Sequence, residues 1–139
     1  MMIPVITLAA ETTKPGTKDS ASVFKALKDA FDLPEEAKKK NVYDSPFYGY
    51  RAGPLIEMLG VFDATHDVEP IQSFTNLMWP SRNQSFCEIM YHFAKKFSEL
   101  DRIVTRMIHE SYGLDKYFDR DCGIESFAHL LRMINYRVP

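Results

Sequence analysis

The sequence predicts an α+β fold that is mainly helical, and three observations carry that prediction. Apolar residues recur at helical spacing from Ser85 to Gly113. Runs near the two ends of the chain have the β-branched or alternating character of strands. Between them lies a proline- and aromatic-rich stretch with no period of its own. The chain has 139 residues, 45% hydrophobic and 13% aromatic, enough to bury one core and too apolar for disorder.

Taken in order, Ile3-Pro4-Val5-Ile6-Thr7-Leu8 reads as a short strand with its proline near the start or on an edge. Glu11 to Ser20 is polar and reads as a loop, with Pro15-Gly16 as a turn signal. A helix is expected from Ser20 to Phe31, capped by Asp19 or Ser20, with Val23, Phe24, Leu27 and Phe31 on one side. Pro34 stops it and suits the first turn of a second short helix, Pro34 to Lys40. There Glu35 and Glu36 meet the positive end, and Lys38, Lys39 and Lys40 meet the negative end on a wet surface. From Asn41 to Asn83 prolines and aromatics are dense, so this connection is expected to pack across the helices. Gly49-Tyr50-Arg51 and Ile71 to Trp79 are its strand-like pieces.

The main helix, 85–113, carries Phe86, Met90, Phe93, Phe97, Leu100, Val104 and Met107 at four-three spacing, widened by Ile89, Ile103 and Ile108. Ser85 and Glu88 are spaced as a capping box, and Gly113-Leu114 suits a left-handed stop. Such a helix is about 40 Å long. Leu114 to Arg120 adds one or two turns, broken at Asp121-Cys122-Gly123, and Phe127 to Val138 closes the chain as a strand.

A formal charge of −2, with no basic block beyond Lys38-Lys39-Lys40, argues against nucleic acid as partner. No apolar run approaches the roughly 20 residues that span a membrane, and Met1 to Ala10 lacks a basic flank, so a cytoplasmic protein is expected. Cys87 and Cys122 have no paired motif and read as buried, inert thiols. Of the histidines, His66 lacks the His-x-Asp spacing of an iron triad, being followed by Asp67 and Val68. Glu88 and His92 share a helix face but make only two ligands, and His109-Glu110 diverges around the helix. A site assembled from His66, His92 and carboxylates is the weakest reading. Tyr48-Gly49-Tyr50-Arg51-Ala52-Gly53 lacks the strand-to-helix setting of a phosphate loop. Asn135 and Tyr136, beside Arg132 and Arg137, could meet an anion, although an edge strand facing water explains them as well. No catalytic residue and no metal ligand set is assigned from these residues.

Four segments occur in a familiar order: Phe31-Asp32-Leu33-Pro34-Glu35-Glu36, Pro46-Phe47-Tyr48-Gly49-Tyr50, Phe74-Thr75-Asn76-Leu77-Met78-Trp79-Pro80 and Leu131-Arg132-Met133-Ile134-Asn135-Tyr136. Together they resemble the N-terminal region of plant 2-oxoglutarate and Fe(II)-dependent dioxygenases, in particular the branch that modifies glucosinolate side chains. The resemblance runs from Ser22 to Pro139. It implies the helical support region of a non-haem dioxygenase without the C-terminal double-stranded β-helix that holds the iron triad in that family. Residues 1–139 would then be a single partial domain, with strand and loop over 1–20 and the helices, aromatic-rich connection and closing strand over 21–139. A family helix and strand that precede the first helix have no counterpart between Lys14 and Ser22. By this resemblance Tyr136 matches a tyrosine near the 2-oxoglutarate pocket, with Ile134 where the family often has asparagine. Fe(II) and 2-oxoglutarate would be cofactors of the parent family and not of this chain alone. The apolar face of the 85–113 helix would be left for a C-terminal domain or a protein partner; a non-enzymatic module binding a full-length paralogue there is the alternative reading.

Overall fold

The computed structural model describes residues 5–9, 18–118 and 128–137. Its elements are β1 (Val5–Ala9), α1 (Lys18–Phe31), α2 (Glu35–Lys38), β2 (Arg51–Ala52), β3 (Ile56–Phe62), α3 (Glu69–Met78), α4 (Gln84–Ser111), α5 (Asp115–Phe118) and β4 (Leu130–Tyr136). The four strands form one sheet in the order β1-β4-β3-β2. β4 pairs in parallel with β1, Leu8 opposite Met133, and antiparallel with β3, Leu59 opposite Met133. The closing strand is therefore central, not the edge strand expected, because the first strand of the chain returns to cover its outer side.

Strand alternation sends Leu59 and Val61 of β3 and Leu131 and Met133 of β4 toward the helices, where all four are buried. Against them pack Val23, Leu27, Ala30 and Phe31 of α1, Ile71, Phe74 and Met78 of α3, and Phe86, Met90 and Ala94 of α4. Phe86 is the pivot, its ring 4.7 Å from that of Trp79 and 5.8 Å from that of Phe74. Each of these side chains larger than alanine contributes on the order of 1.5–3 kcal/mol by leaving water. Phe24, expected on the buried side of α1, is half-exposed; Ala26 and Ala30 take the inner face because small residues let α1 approach its neighbours.

Several boundaries differ from expectation, each for a local reason. α1 begins at Lys18, so Asp19 and Ser20 lie in its first turn and the polar loop stops sooner than Ser20. α2 runs only from Glu35 to Lys38, with Pro34 at its N-cap. The strand-like reading of Ile71 to Trp79 is wrong. Those residues lie largely in α3, where Ile71, Phe74, Thr75 and Met78 are buried at helical spacing and Pro70 sits in the first turn. β3 had no clear sequence signal, because it is apolar on both faces and contains Gly60. That glycine is required by the packing: a Cβ there would lie 1.9 Å from the Tyr48 carbonyl oxygen of the connection lying over it.

The Asn41-to-Asn83 connection packs on the structure as expected: its later part, α3 and Trp79, lies across α4, and its first part, Asn41 to Tyr50, lies against β3. The Asn41 side chain donates to the Gly60 carbonyl at 2.9 Å and accepts from the Gly60 amide at 3.1 Å. The Tyr43 hydroxyl accepts from the Phe62 amide at 3.2 Å. Side chains thus satisfy the part of the β3 edge that the two-residue β2 leaves bare.

α4 starts one residue before Ser85, and the capping oxygen belongs to Asn83, which accepts from the Phe86 amide at 3.1 Å. The Ser85–Glu88 capping box does not form; Glu88 instead accepts from the Gln84 side chain. Its other end matches expectation. Gly113 has a φ of 67°, the Leu114 amide donates to the His109 carbonyl at 2.8 Å, and the Gly113 amide donates to Glu110 at 3.0 Å. That pair of bonds is the Schellman motif. The four-three face is buried only in its first half, at Phe86, Cys87, Met90 and Ala94. Beyond Phe97 it is exposed at Leu100, Ile103, Val104, Met107 and Ile108. The Asp121-Cys122-Gly123 break, the Pro15-Gly16 turn, Pro4 and Val138 lie outside the described residues.

Candidate functional site

The most strongly organised polar cluster centres on Glu57 of β3. Alternation points this carboxylate to the helix side of the sheet, beside Leu59 and Val61, and the side chain is 4% exposed. An ionised carboxylate so placed must be fully paired. Lys38 at the end of α2 lies 2.5 Å from Oε1 and also donates to the Phe31 carbonyl at 2.7 Å. The Tyr50 hydroxyl donates to Oε1 at 3.0 Å, and the Arg137 guanidinium donates to Oε2 at 3.2 Å. Burial pushes the Glu57 carboxyl upward, but the hydrogen bonds from Lys38, Tyr50 and Arg137 outweigh it and hold it below its ordinary value. Burial, followed by the Glu57 hydrogen bond, pushes the Tyr50 phenol up to about 12. Lys38 is therefore not part of a wet lysine run as expected. Lys39 and Lys40 are exposed, and Lys39 pairs with Glu35 at 3.0 Å in the expected dipole-matching manner.

Chemically this cluster anchors rather than reacts, since both Glu57 oxygens are engaged. Its consequence is positional. It ties α2, the connection at Tyr50 and the residue after β4 to one point of β3. Arg137 is further fixed by its amide, which donates to the Leu55 carbonyl at 2.8 Å. Tyr136 precedes it, opposite Ile56, on the sheet face away from the helices, and is half-exposed. On that face Ile134 stands opposite Met58, so the neighbourhood of Tyr136 along the strand is apolar. Arg132, two residues further back, donates to the Phe47 carbonyl at 3.1 Å, leaving Asn135 on the opposite alternation, paired across from Glu57. Asn135 and Tyr136 thus face opposite sides of the sheet and do not form a joint anion site.

The histidines are dispersed. His92 lines a cleft of about 330 Å³ between α1 and α4, with Ser22, Glu88 and Lys96. His66 pairs with Asp63 and borders a different cleft, of about 410 Å³, with Lys95, Glu99, Arg102 and His129. His66 and His92 therefore do not meet. His129 is buried, its Nδ1 2.7 Å from the Thr65 hydroxyl and its Nε2 3.6 Å from an Asp101 carboxylate oxygen. Among the described residues no three His, Cys, Asp or Glu side chains converge as a metal would require. Cys87 is buried and its thiol is pushed up by burial, an unreactive state; Cys122 lies outside the described residues.

Two of these contacts escaped the sequence. The His129–Thr65 bond joins residues 64 apart with no local signature. The Glu57 cluster had one: a single acidic residue inside the apolar run Ile56 to Phe62 needs a buried cation.

Among curated proteins, the chain is 40% identical over 119 residues to probable 2-oxoglutarate-dependent dioxygenase AOP1.2 of Arabidopsis thaliana, covering 85% of this chain and 36% of that protein. It is 38% identical over 116 residues to 2-oxoglutarate-dependent dioxygenase AOP3, covering 83% and 28%. With AOP2 of the same plant it shares 29% identity over 171 positions, more than the chain's own 139, so that alignment is opened by insertions in AOP2. The chain spans about a third of the length of the curated relatives it matches. Among solved structures, dioxygenase for auxin oxidation 1 from Arabidopsis thaliana superposes with a TM-score of 0.74 at 24% identity, over 99% of this chain and 68% of that one. Its 2-oxoglutarate complex gives 0.62 at 27% identity, over 81% and 51%. No family model matches the chain.

Proposed function

We propose, starting from the homology of this chain to part of the 2-oxoglutarate-dependent dioxygenases, that residues 1–139 serve as the helical support region of such an enzyme and do not catalyse its reaction by themselves. The single observation carrying this is the 40% identity over 119 residues to a protein of which they cover 36%. The same relatives favour this reading over a free-standing interaction module. The parent activity in this proposal is oxidation of a glucosinolate side chain, coupled to decarboxylation of 2-oxoglutarate by dioxygen at Fe(II).

The described residues do not fit the iron: their histidines are dispersed, and His66, His129 and His109 are engaged by Asp63, Thr65 and the Thr105 carbonyl. No chemical step is therefore assigned to them. The contribution assigned to this region is to place Tyr136 at the end of a central strand, where its half-exposed hydroxyl can donate to a 2-oxoglutarate oxygen. Supporting that role are the position of Tyr136 on the sheet face away from the helical core and the anchoring of the next residue by Glu57.

A chimera tests this. Residues 21–137 replace the matching stretch of AOP1.2, and 2-oxoglutarate consumption is assayed. Retained turnover is expected, with a several-fold rise in KM for 2-oxoglutarate on Tyr136→Phe. A folded chimera whose KM is insensitive to that change would overturn the assignment of Tyr136; a folded chimera without turnover would overturn the support role.

A further inference from the structure

We infer that the cleft between α4, the turn after β3 and the residue before β4 is a binding site for a small monocarboxylate, received at Nε2 of His129. His129 is 2% exposed and is held on two sides. Its carbonyl accepts from the Ala64 amide at 3.1 Å, and its Nδ1 lies 2.7 Å from the Thr65 hydroxyl. Nε2 is the ring nitrogen left over, and it has no hydrogen-bond partner. An Asp101 carboxylate oxygen lies 3.6 Å away, too far for a hydrogen bond. A bare lone pair on Nε2 would face that carboxylate unfavourably, so the proton belongs on Nε2 and Nδ1 accepts from the Thr65 hydroxyl. His129 is thus a buried donor without an acceptor, at a cleft that can admit one.

An oxygen entering there meets further donors. Lys95, Ser98 and Arg102 recur at three-four spacing on the face of α4 that lines the cleft. Lys95 is half-buried, and its ammonium donates to the Thr65 carbonyl at 3.4 Å with other N–H groups to spare. Arg102 is in no ion pair among the described residues. The opposing charges are Glu99 on the same helix face and Asp101 beside His129, while His66 and Asp63 pair with each other. Two cations against two carboxylates leave the cleft near neutral. Recognition therefore rests on aimed donors, and a ligand with one negative charge suits it better than a dianion. The volume of about 410 Å³ falls among small-molecule sites, about 300–1,000 Å³. Tyr136 lies at the far end of β4, roughly 20 Å away along an extended strand. This site is therefore separate from the proposed 2-oxoglutarate contact and does not rest on the enzymatic reading.

Long-range ¹H–¹⁵N NMR of the histidine rings in the 139-residue chain tests it. Sodium propionate is the probe, compared with sodium chloride and inorganic phosphate at matched ionic strength and slightly alkaline pH, where phosphate is mostly dianion. His129 should show the tautomer with its proton on Nε2, and propionate should move that nitrogen saturably, with a midpoint in the millimolar range. Chloride should leave it in place, and phosphate should bind at least several-fold more weakly. Arg102→Gln should weaken propionate binding several-fold, and Asp101→Asn should tighten it by a similar factor, because the competing carboxylate is gone. Arg102 is exposed and Asp101 half-exposed, and unchanged far-UV circular dichroism would show that both variants fold. A His129 ring indifferent to propionate, a proton on Nδ1 alone, phosphate binding as tightly as propionate, or affinities unmoved by both substitutions would each overturn the inference.

Discussion

At the scale of single residues, the Lys38–Glu57 pair decides most. Two opposite charges, almost wholly out of water, persist because Tyr50, Arg137 and the Phe31 carbonyl complete their hydrogen bonds. Removing one partner strands the other: Glu57→Gln or Lys38→Met is expected to cost about 3–5 kcal/mol, read from urea unfolding. Replacing both by apolar residues should cost less than either single change. The pH dependence follows from the direction of each shift. Glu57 sits below its ordinary 4.5, so its contribution is complete above that value and is lost as pH falls through its own, lower one. Tyr50 is raised to about 12, so its contribution is complete below 10.0 and is lost as pH rises toward 12. In an alkaline absorbance titration one tyrosine should ionise well after the others, and Tyr50→Phe should remove that late component. A single transition near the ordinary tyrosine value would refute the buried hydrogen bond.

At the scale of elements, the sequence was legible where one period ran long. α4, with its glycine stop, was plain from the four-three spacing, and β4 from its alternation at the chain's end. What failed was local. The α4 cap was read at Ser85, whereas Asn83 supplies the oxygen, because an asparagine two residues earlier can reach the same turn. Asn83→Ala should cost about 1 kcal/mol in thermal unfolding, and Ser85→Ala close to nothing. α3 was missed although Ile71, Phe74, Thr75 and Met78 carry a helical period, since Thr75 is polar and its hydroxyl is satisfied within the helix by the Ile71 carbonyl at 2.7 Å. β3 could not be read at all from alternation, being buried on one face by helices and covered on the other by the Asn41-to-Tyr50 connection. Asn41→Leu should therefore destabilise strongly, by about 2–4 kcal/mol, because it leaves both the amide and carbonyl of Gly60 unsatisfied. Intact stability in that variant would mean the connection is held by its aromatics alone.

At the scale of the whole molecule, a buried core on the first half of α4 coexists with an apolar second half in water, and the Glu57 cluster borders that core through Tyr50 and Phe31. The role proposed for Tyr136 rests on resemblance: periodicity puts it on a strand, but nothing in its own neighbourhood names a ligand. The Glu57 cluster that steadies its neighbour Arg137 joins residues up to 80 apart and emerges only when the sheet closes. Among the described residues no helix is long and apolar enough to cross a membrane. In the proposed function this region supports a dioxygenase site without itself performing the oxidation. The most direct measurement is release of labelled carbon dioxide from 1-¹⁴C-2-oxoglutarate by the purified 139-residue chain, supplied with Fe(II), ascorbate and air. Release no faster than from buffer with iron is the predicted result; enzyme-dependent release that saturates with 2-oxoglutarate would contradict it.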